Sequence, residues 1–340
     1  MCDVGESVSE APFFSVLVLN YNAGDYLQQA VDSLVNQTFS DFEVVIADNG
    51  SGDGSMEILD VSRLAECRVE LLGRNAGFAE GNNIMAKLAQ GKWLVLLNAD
   101  AAAKPDWLET LHRNIHKYPD CAMFASTQLS MSDPDMLDGA GDAYSAWGFA
   151  WRGGYRKETK DLPGFGETFS PCGASAAIRK EEFLAHGGFD ERYFCFMEDV
   201  DLAFRMRLAG EYCLFLPDAV VSHMGGGISG EKTEFAVVNG ARNRLLTFVG
   251  NMPTPLFLLT LPGHIALTLY LLGWYVTRPY GSYARKGVWE GLKDAMQYRR
   301  NRAALRKERK ISLWQLARMM YWNPMPLSKH GFAVRPYDRK

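Results

Sequence analysis

The chain has 340 residues, 47% of them hydrophobic, which is ample for a core of ordinary size with room for two domains. Six cysteines without a C-x-x-C pair suggest neither a zinc site nor a disulfide framework and read as reduced, mostly buried thiols of a cytosolic protein. The formal charge of −4 conceals a split: from residue 277 on there are 16 Lys and Arg against 4 Asp and Glu, so an acidic globular part is followed by a basic, surface-binding tail.

Residues 1–12 are polar and acidic, with no apolar run of signal-peptide length, and are expected to be disordered. FFSVLVLN (13–20) reads as a first strand and YNAG as the turn out of it. Apolar residues at helical spacing (Leu27, Ala30, Val31, Leu34, Val35) predict a helix over 25–37. FEVVIAD (42–48) is a second buried strand that ends in an acid. A turn-rich loop follows at 49–55, then an expected helix to about residue 65 and a short strand at 68–72. The loop 74–78 opens a helix through residue 89, with Gly91 as its stop.

Residues 93–97, WLVLL, are apolar throughout and read as a strand buried on both faces. The run breaks off into Asn98 and Asp100, polar groups just past the carboxyl end of a strand, where open α/β sheets bind ligands. Strands alternating with helices make this half an α/β unit with a mostly parallel sheet flanked by helices. G-x-G-x-x-G is missing after the first strand, so polar loops at Asp48, 74–82 and Asp100 are the candidate site instead. Glycines and aromatics mix over 119–166, suited to stacking on a sugar ring or to plain packing. Further on, SPCGASAAI (170–178) is a small-residue strand that lets a ligand approach the backbone. Glu198 and Asp199 open a helix to residue 209. Two short strands, 212–216 and 219–222, then close on His223 and three glycines.

Taken together, VLNYNAGDYL, VVIADNGSGDGS, GRNAGFAEGNN, LVLLNAD, PCGASAAIRKE, GGFDERYFCFMEDVDLAFR and VSHMGGG, in that order and spacing, resemble the family 2 glycosyltransferases of GT-A fold, especially the bacterial rhamnosyltransferase-like branch. The resemblance covers roughly residues 14–250 and implies a GT-A glycosyltransferase domain at 13–250. It implies an inverting, divalent-metal-assisted transfer of a sugar from a nucleoside diphosphate to a hydroxyl. The donor would be dTDP-L-rhamnose or a UDP-sugar, and the acceptor a lipid-linked or cell-surface glycan.

By the same resemblance Asp100 and His223 would hold Mn²⁺ or Mg²⁺, a donor set suited to either ion. Asn98 departs from the pattern, standing where a first acid is usual; its carbonyl still offers an acceptor but no charge. Asp199 matches the general base, with Glu198 in a supporting role, and the helix N-terminus would favour the ionised carboxylate. Asp48 matches the base-recognising acid. Asn20, Tyr21 and Asn22 would line the base and ribose, and Arg74, Gly77, Phe78 and Asn82 would border the nucleotide. Alternatives are a polyprenyl-phosphate sugar synthase, whose acceptor needs no base, and an inactive nucleotide-sugar-binding module.

Residues 245–277 contain no Asp, Glu, Lys or Arg, a run longer than a bilayer requires. Pro253, Pro255, Pro262 and His264 interrupt it, leaving 263–276 as the clean apolar helix. The basic tail belongs on the cytoplasmic side by the positive-inside rule, and so do nucleotide sugars, so a single crossing cannot satisfy both. Residues 251–340 are therefore expected to be an apolar, then basic, helical tail lying in the membrane interface or dipping into it, with 299–310 on anionic headgroups; the alternative is that 256–276 packs on the enzyme core or a dimer partner. The enzyme would be peripheral at the inner face of the cell membrane. Nucleic acid is not an expected partner, and the oligomeric state is left open.

Overall fold

The computed structural model describes residues 11–225, 233–324 and 329–338. The expected disordered start, but for its last two residues, and Gly226 and Gly227 lie outside them. The first half runs β1 (Phe14–Asn20), α1 (Tyr26–Val35), β2 (Phe42–Asp48), β3 (Cys67–Leu71), α2 (Gly77–Leu88), β4 (Trp93–Leu97), β5 (Ala101–Ala103) and α3 (Trp107–Lys117). Strands β6 (Met123–Ser130), β7 (Leu137–Ala140), β8 (Asp142–Tyr144), β9 (Ala150–Arg152), β10 (Gly166–Thr168) and β11 (Ser175–Arg179) follow. Then come α4 (Lys180–Ala185), α5 (Glu198–Leu208) and β12 (Cys213–His223). The chain continues in helices α6 (Glu234–Asn251), α7 (Thr254–Tyr275), α8 (Gly281–Asn301), α9 (Ala303–Lys307) and α10 (Leu313–Met319).

The main sheet is mixed, in the order β10-β12-β6-β11-β4-β1-β2-β3. Strands β3, β2, β1 and β4 are parallel, and β11 is antiparallel to both β4 and β6. Alternation along each buried strand sends residues to opposite faces. Val16, Val44 and Val95 join the core beneath α1 and α3, whereas Leu17, Val45 and Leu96 join the one that packs α2 and α5. The order reverses between β1 and β4, so their carboxyl ends open the crevice in which α/β sheets bind ligands.

Three expectations fail for local reasons. Residues 51–65 form turns, not a helix. Their side chains compete for the backbone: Asp53 accepts from Gly24 N and Ser55 N, and Gln28 accepts from Asp60 N at 2.7 Å. The two short strands at 212–222 are one strand, β12, with a register shift between Leu216 and Val220. Pro262 does not break the apolar run; α7 is continuous across it and begins with Pro255 in its first turn, where proline is tolerated.

The uncharged run of 245–277 is divided between two environments. Residues 245–251 are buried within α6. In α7 the buried residues are Leu256, Thr260, His264 and Thr268, one stripe at four-residue spacing, while Leu258, Leu259, Ile265, Leu269, Tyr270 and Trp274 are exposed. Helix α7 is long and apolar enough to cross a membrane by length and composition.

The basic stretch after α7 is partly spent inside the protein. Asp201, fully buried on α5, accepts from Tyr193 Oη at 2.9 Å, Asn251 Nδ2 at 2.8 Å and Arg205 Nε at 2.9 Å, and pairs with both terminal nitrogens of Arg302. Arg302 also reaches Asp190 at 2.5 Å, and Arg306 donates to Gly250 O. Arg299 bonds the carbonyls of Val249 and Met252 and stacks on Phe257. The expectation that 299–310 faces lipid headgroups is therefore corrected for these three arginines, while Arg300, Lys307 and Lys310 remain exposed.

Burial alone would raise the Asp201 carboxyl, but Arg302 and Arg205 outweigh it and hold it below the ordinary carboxylate range. A depressed carboxylate contributes stability above its unfolded pKa and loses it as pH falls through the folded value. Asp201→Asn is expected to cost about 3–5 kcal/mol by stranding buried guanidinium charge, and to flatten the acid-side loss of stability, as read from urea unfolding at pH 7 and at pH 4.

Candidate functional site

Four elements deliver the site to the crevice at the ends of β1 and β4. Strand β4 ends at Leu97, and the three alanines after Asp100 form β5, which pairs antiparallel with β12 so that His223 lies opposite Ala101. This register places His223 Nε2 at 3.2 Å from Asp100 Oδ1 and 3.2 Å from the Asn98 amide. On its other side β12 runs along β6, and β7 pairs back on β6, which brings Asp138 to 2.7 Å from His223 Nδ1. Asp138 in turn pairs with Arg152. Burial by itself would lower the His223 imidazole, but hydrogen bonds to Asp100 and Asp138 win and raise it.

Asp199 enters from the amino end of α5. Its Oδ2 accepts from Gly173 N at 2.8 Å, just before β11, and its Oδ1 accepts from Val200 N at 2.7 Å. The segment before it is strained: Phe194, Phe196 and Met197 all have φ between 61° and 72°, rarely adopted by side-chain-bearing residues. Asn243 of α6 holds that segment, its amide nitrogen lying 2.9 Å from the carbonyls of Tyr193, Cys195 and Phe196. Gly77 (φ 82°) makes room for it, since a Cβ there would meet Phe194 at 2.7 Å.

Asn98, Asp100, Asp199 and His223 line one cavity of about 880 Å³, together with Tyr21, Gly77, Phe78 and Glu198. Asp100 also borders a neighbouring cleft of about 410 Å³ lined by Asn22, Gly24, Asp25 and Asp53. Asn20, Asp48, Arg74 and Asn82 are outside both linings. Asn20 and Asp48 are buried and tie the two loops together: Asn20 donates to Asp48, Ser51 and Ser55, and Asp48 accepts from Ser51 N. Arg74 is exposed and paired with Glu80, and Asn82 donates to Phe78 O within its helix. Of the aromatics over 119–166, Trp151 and Tyr155 reach the cavity, while Tyr144 and Trp147 pack elsewhere.

The sequence reading missed Asp138, Asp142, Arg152 and Cys172. Asp142 Oδ1 is buried and unpartnered among the described residues, and Asp142, Cys172 and Asp199 present ligand atoms all within 4.8 Å of one another. No spacing signal exposes this cluster, because β8 and α5 are distant in the chain. Its thiol suits softer ions than Mn²⁺ or Mg²⁺. Burial pushes the Cys172 thiol up to about 12, and burial and then the charge of Asp199 raise Asp142. Burial also raises Asp199, outweighing its backbone hydrogen bonds and Arg152, so the helix terminus does not have the last word on its ionisation. Glu198 is raised further, by burial and by Asp199.

Asp100 and His223 offer a carboxylate and an imidazole, donors that could hold Mn²⁺ or Mg²⁺. Both are buried, the Asn98 carbonyl is available by rotating the amide, and His223 Nδ1 is oriented by a carboxylate, as metal-bound imidazoles usually are.

Comparison with known proteins settles the family. The family model described as Glycosyl transferase family 2 matches residues 15–184, half of the chain. The chain belongs to glycosyl transferase family 2. This glycosyltransferase is 28% identical over 234 residues to the N-acetylglucosaminyl-diphospho-decaprenol L-rhamnosyltransferase of Mycobacterium tuberculosis, covering 61% of this chain and 75% of that one. It is 34% identical over 129 residues to the putative teichuronic acid biosynthesis glycosyltransferase TuaG of Bacillus subtilis, 37% of this chain and 51% of that one.

Solved structures of similar fold include GalNAc-T7 with UDP, GalNAc and Mn²⁺ (TM-score 0.54, 18% identity, 71% of this chain and 48% of that one). Another is the mannosyltransferase PcManGT of Pyrobaculum calidifontis with GDP-Man and Mn²⁺ (TM-score 0.51, 16% identity, 85% and 88%). The glycosyltransferase therefore has the GT-A fold expected from its motifs.

Asn243→Ala is expected to destabilise the protein by about 1–3 kcal/mol and to speed hydrogen exchange first at the amides of residues 194–197. Uniform acceleration across the sheet would instead mean that Asn243 supports the fold globally.

Proposed function

We propose that this glycosyltransferase transfers a sugar, L-rhamnose from dTDP-rhamnose or a sugar from a UDP donor, to a hydroxyl of a lipid-linked glycan with inversion at the anomeric carbon. The observation that carries the reading is the shared cavity. A carboxylate–imidazole pair suited to a cation, Asp100 and His223, and a buried carboxylate suited to a base, Asp199, face the same space. The named activity of the mycobacterial relative supports rhamnose and a lipid-linked acceptor.

The roles follow from position. Asp100 and His223 would hold Mn²⁺ or Mg²⁺, with Asp138 fixing the imidazole so that Nε2 faces the ion. Such an ion supplies positive charge to offset the departing diphosphate. Tyr21, Gly77 and Phe78 would border the donor, and Asn22 its nucleoside end through the adjoining cleft. Asn20 and Asp48 would act through the loops they join. Asp199 takes the proton of the acceptor hydroxyl as that oxygen bonds to the anomeric carbon and the nucleoside diphosphate leaves from the opposite face. Each Asp199 oxygen accepts one backbone hydrogen bond and keeps a lone pair for that proton. Its raised pKa makes it a stronger base than a solvated aspartate.

The membrane is the proposed location of the acceptor. Helix α7 turns its polar stripe toward the enzyme and its apolar residues outward, the reverse of a soluble surface helix, and exposed Arg285, Lys293 and Arg300 follow on α8.

Three outcomes are expected. Asp199→Asn lowers kcat about 10²–10⁴-fold with donor affinity kept; near-normal turnover would favour a phosphate acceptor that needs no base. In the unmodified enzyme, kcat/KM falls on acidification with its limb above about 3.9, the ordinary aspartate value, because the base must be ionised and its pKa is raised. Asp138→Asn weakens Mn²⁺ binding about 10–100-fold by calorimetry, and unchanged affinity would remove Asp138 from the site.

For the membrane, Leu258→Ser combined with Leu269→Ser and Trp274→Ser should abolish flotation with anionic liposomes while leaving Tm unchanged. Undiminished flotation would exclude α7 as the anchor.

A further inference from the structure

The cavity holds one cation that the transfer reaction as described leaves unused. Three cationic or potentially cationic side chains line it among the described residues: His223, Arg152 and Arg244. The first is enclosed by Asp100 and Asp138, and the second pairs with Asp138. Arg244 pairs with no carboxylate among the described residues. It projects from α6, lies 4.0 Å above the Phe149 ring and donates through Nη1 to Thr268 Oγ1 at 3.2 Å. Burial lowers its guanidinium to about 10, and the titratable groups near it are the Tyr144 and Tyr275 phenols and the His264 imidazole. The Tyr144 hydroxyl is itself buried and unpartnered among the described residues.

Arg244 is partly buried, and a charge that loses water without gaining a counter-ion is stabilised when an anion completes it. A guanidinium has several donors in a planar fork, matched to phosphate oxygens, and Arg244 spends one of them on a neutral hydroxyl. Its position selects the source of the anion. Thr268 belongs to the buried stripe of α7, and the residues that follow on that helix, Leu269 and Tyr270, are exposed and apolar. Arg244 thus stands where the cavity meets the helix proposed to touch lipid. The donor's diphosphate would be met at the other end of the cavity by the cation that Asp100 and His223 would hold.

We infer that Arg244 is the binding group for the phosphate or diphosphate that links the acceptor's sugar to its lipid. The inference rests on the lipid-linked acceptor proposed above, and it extends that proposal to a specific anion subsite. With the phosphate on Arg244, the lipid runs out along α7, and the acceptor sugar is left to span the distance to Asp199. The subsite therefore also selects against acceptors of the same sugar that lack the anionic linkage.

The test uses the full chain with farnesyl diphosphate as probe, in the presence of Mn²⁺ and saturating UDP or dTDP to fill the donor site. Calorimetry should show binding that Arg244→Gln weakens about 10–100-fold, the range for a charge-assisted hydrogen bond in a desolvated site, and that Arg244→Lys, which keeps the charge but not the fork, weakens less. Farnesol should bind both forms alike. UDP or dTDP affinity and Tm should be unchanged in both variants, which separates loss of the subsite from loss of the fold. Equal affinity of the unmodified and Gln forms for farnesyl diphosphate would overturn the inference. A parallel fall in nucleotide affinity would overturn it too, by assigning Arg244 to the donor. These readouts do not require turnover: a chain that binds the probe through Arg244 yet transfers no sugar would defeat the proposed function and leave the subsite standing.

Discussion

Asp201 is the point at which the C-terminal helices and the catalytic half of the molecule are fastened together. A single buried carboxylate receives groups from α5, α6 and the end of α8; two of its partners, Arg205 and Arg302, also engage Gly188 and Asp190, and a third, Tyr193, also meets Thr247 of α6. Carboxylate and guanidinium are each expensive to bury alone and tolerable only together, so the arrangement is all-or-none. Two residues upstream on the same helix is Asp199. Its placement is thus set by the packing of segments more than fifty and a hundred residues away. The tail consequently has a role inside the protein: its buried arginines hold the proposed base helix in place.

The strained run Phe194–Met197 belongs to the same logic. Left-handed backbone at three side-chain-bearing residues persists only where the surroundings over-determine it. Here Asn243 gathers the carbonyls from one side and Gly77 yields space on the other. The result is a carboxylate presented to the cavity with both oxygens anchored by backbone N–H groups. Desolvation then decides its proton affinity. The helix terminus and Arg152 favour the ion, but burial prevails and lifts the pKa, which is the direction a base benefits from.

Asp100 and His223 show how small a structural device can assemble a site. Three alanines after Asp100, unremarked as a secondary-structure signal, form a three-residue strand whose pairing with β12 sets the imidazole beside the carboxylate. The pairing of β12 with β6, and of β6 with β7, adds Asp138 behind the ring. With Asn98 in place of a second acid, the orienting carboxylate on the far side of His223 contributes negative charge close to the proposed cation.

Much of the protein was legible in the order of its residues. Apolar runs ending in polar groups located β1, β2 and β4, helical periodicity located α1, start and stop signals located α2 and α5, and the motifs in register implied the GT-A fold. They also singled out Asp100, Asp199 and His223, which the structure brings to one cavity. What the sequence misjudged had competing local chemistry: side-chain hydrogen bonds that replaced a helix over 51–65, and a proline carried within α7. What it could not contain was set by pairing across distance. The burial of Arg302 against Asp201, the Asp138 contact behind His223, the Asp142–Cys172–Asp199 cluster and the unpaired charge of Arg244 each depend on which segments meet. Periodicity and spacing describe a residue's own element, whereas partners, burial and pKa are properties of the folded neighbourhood.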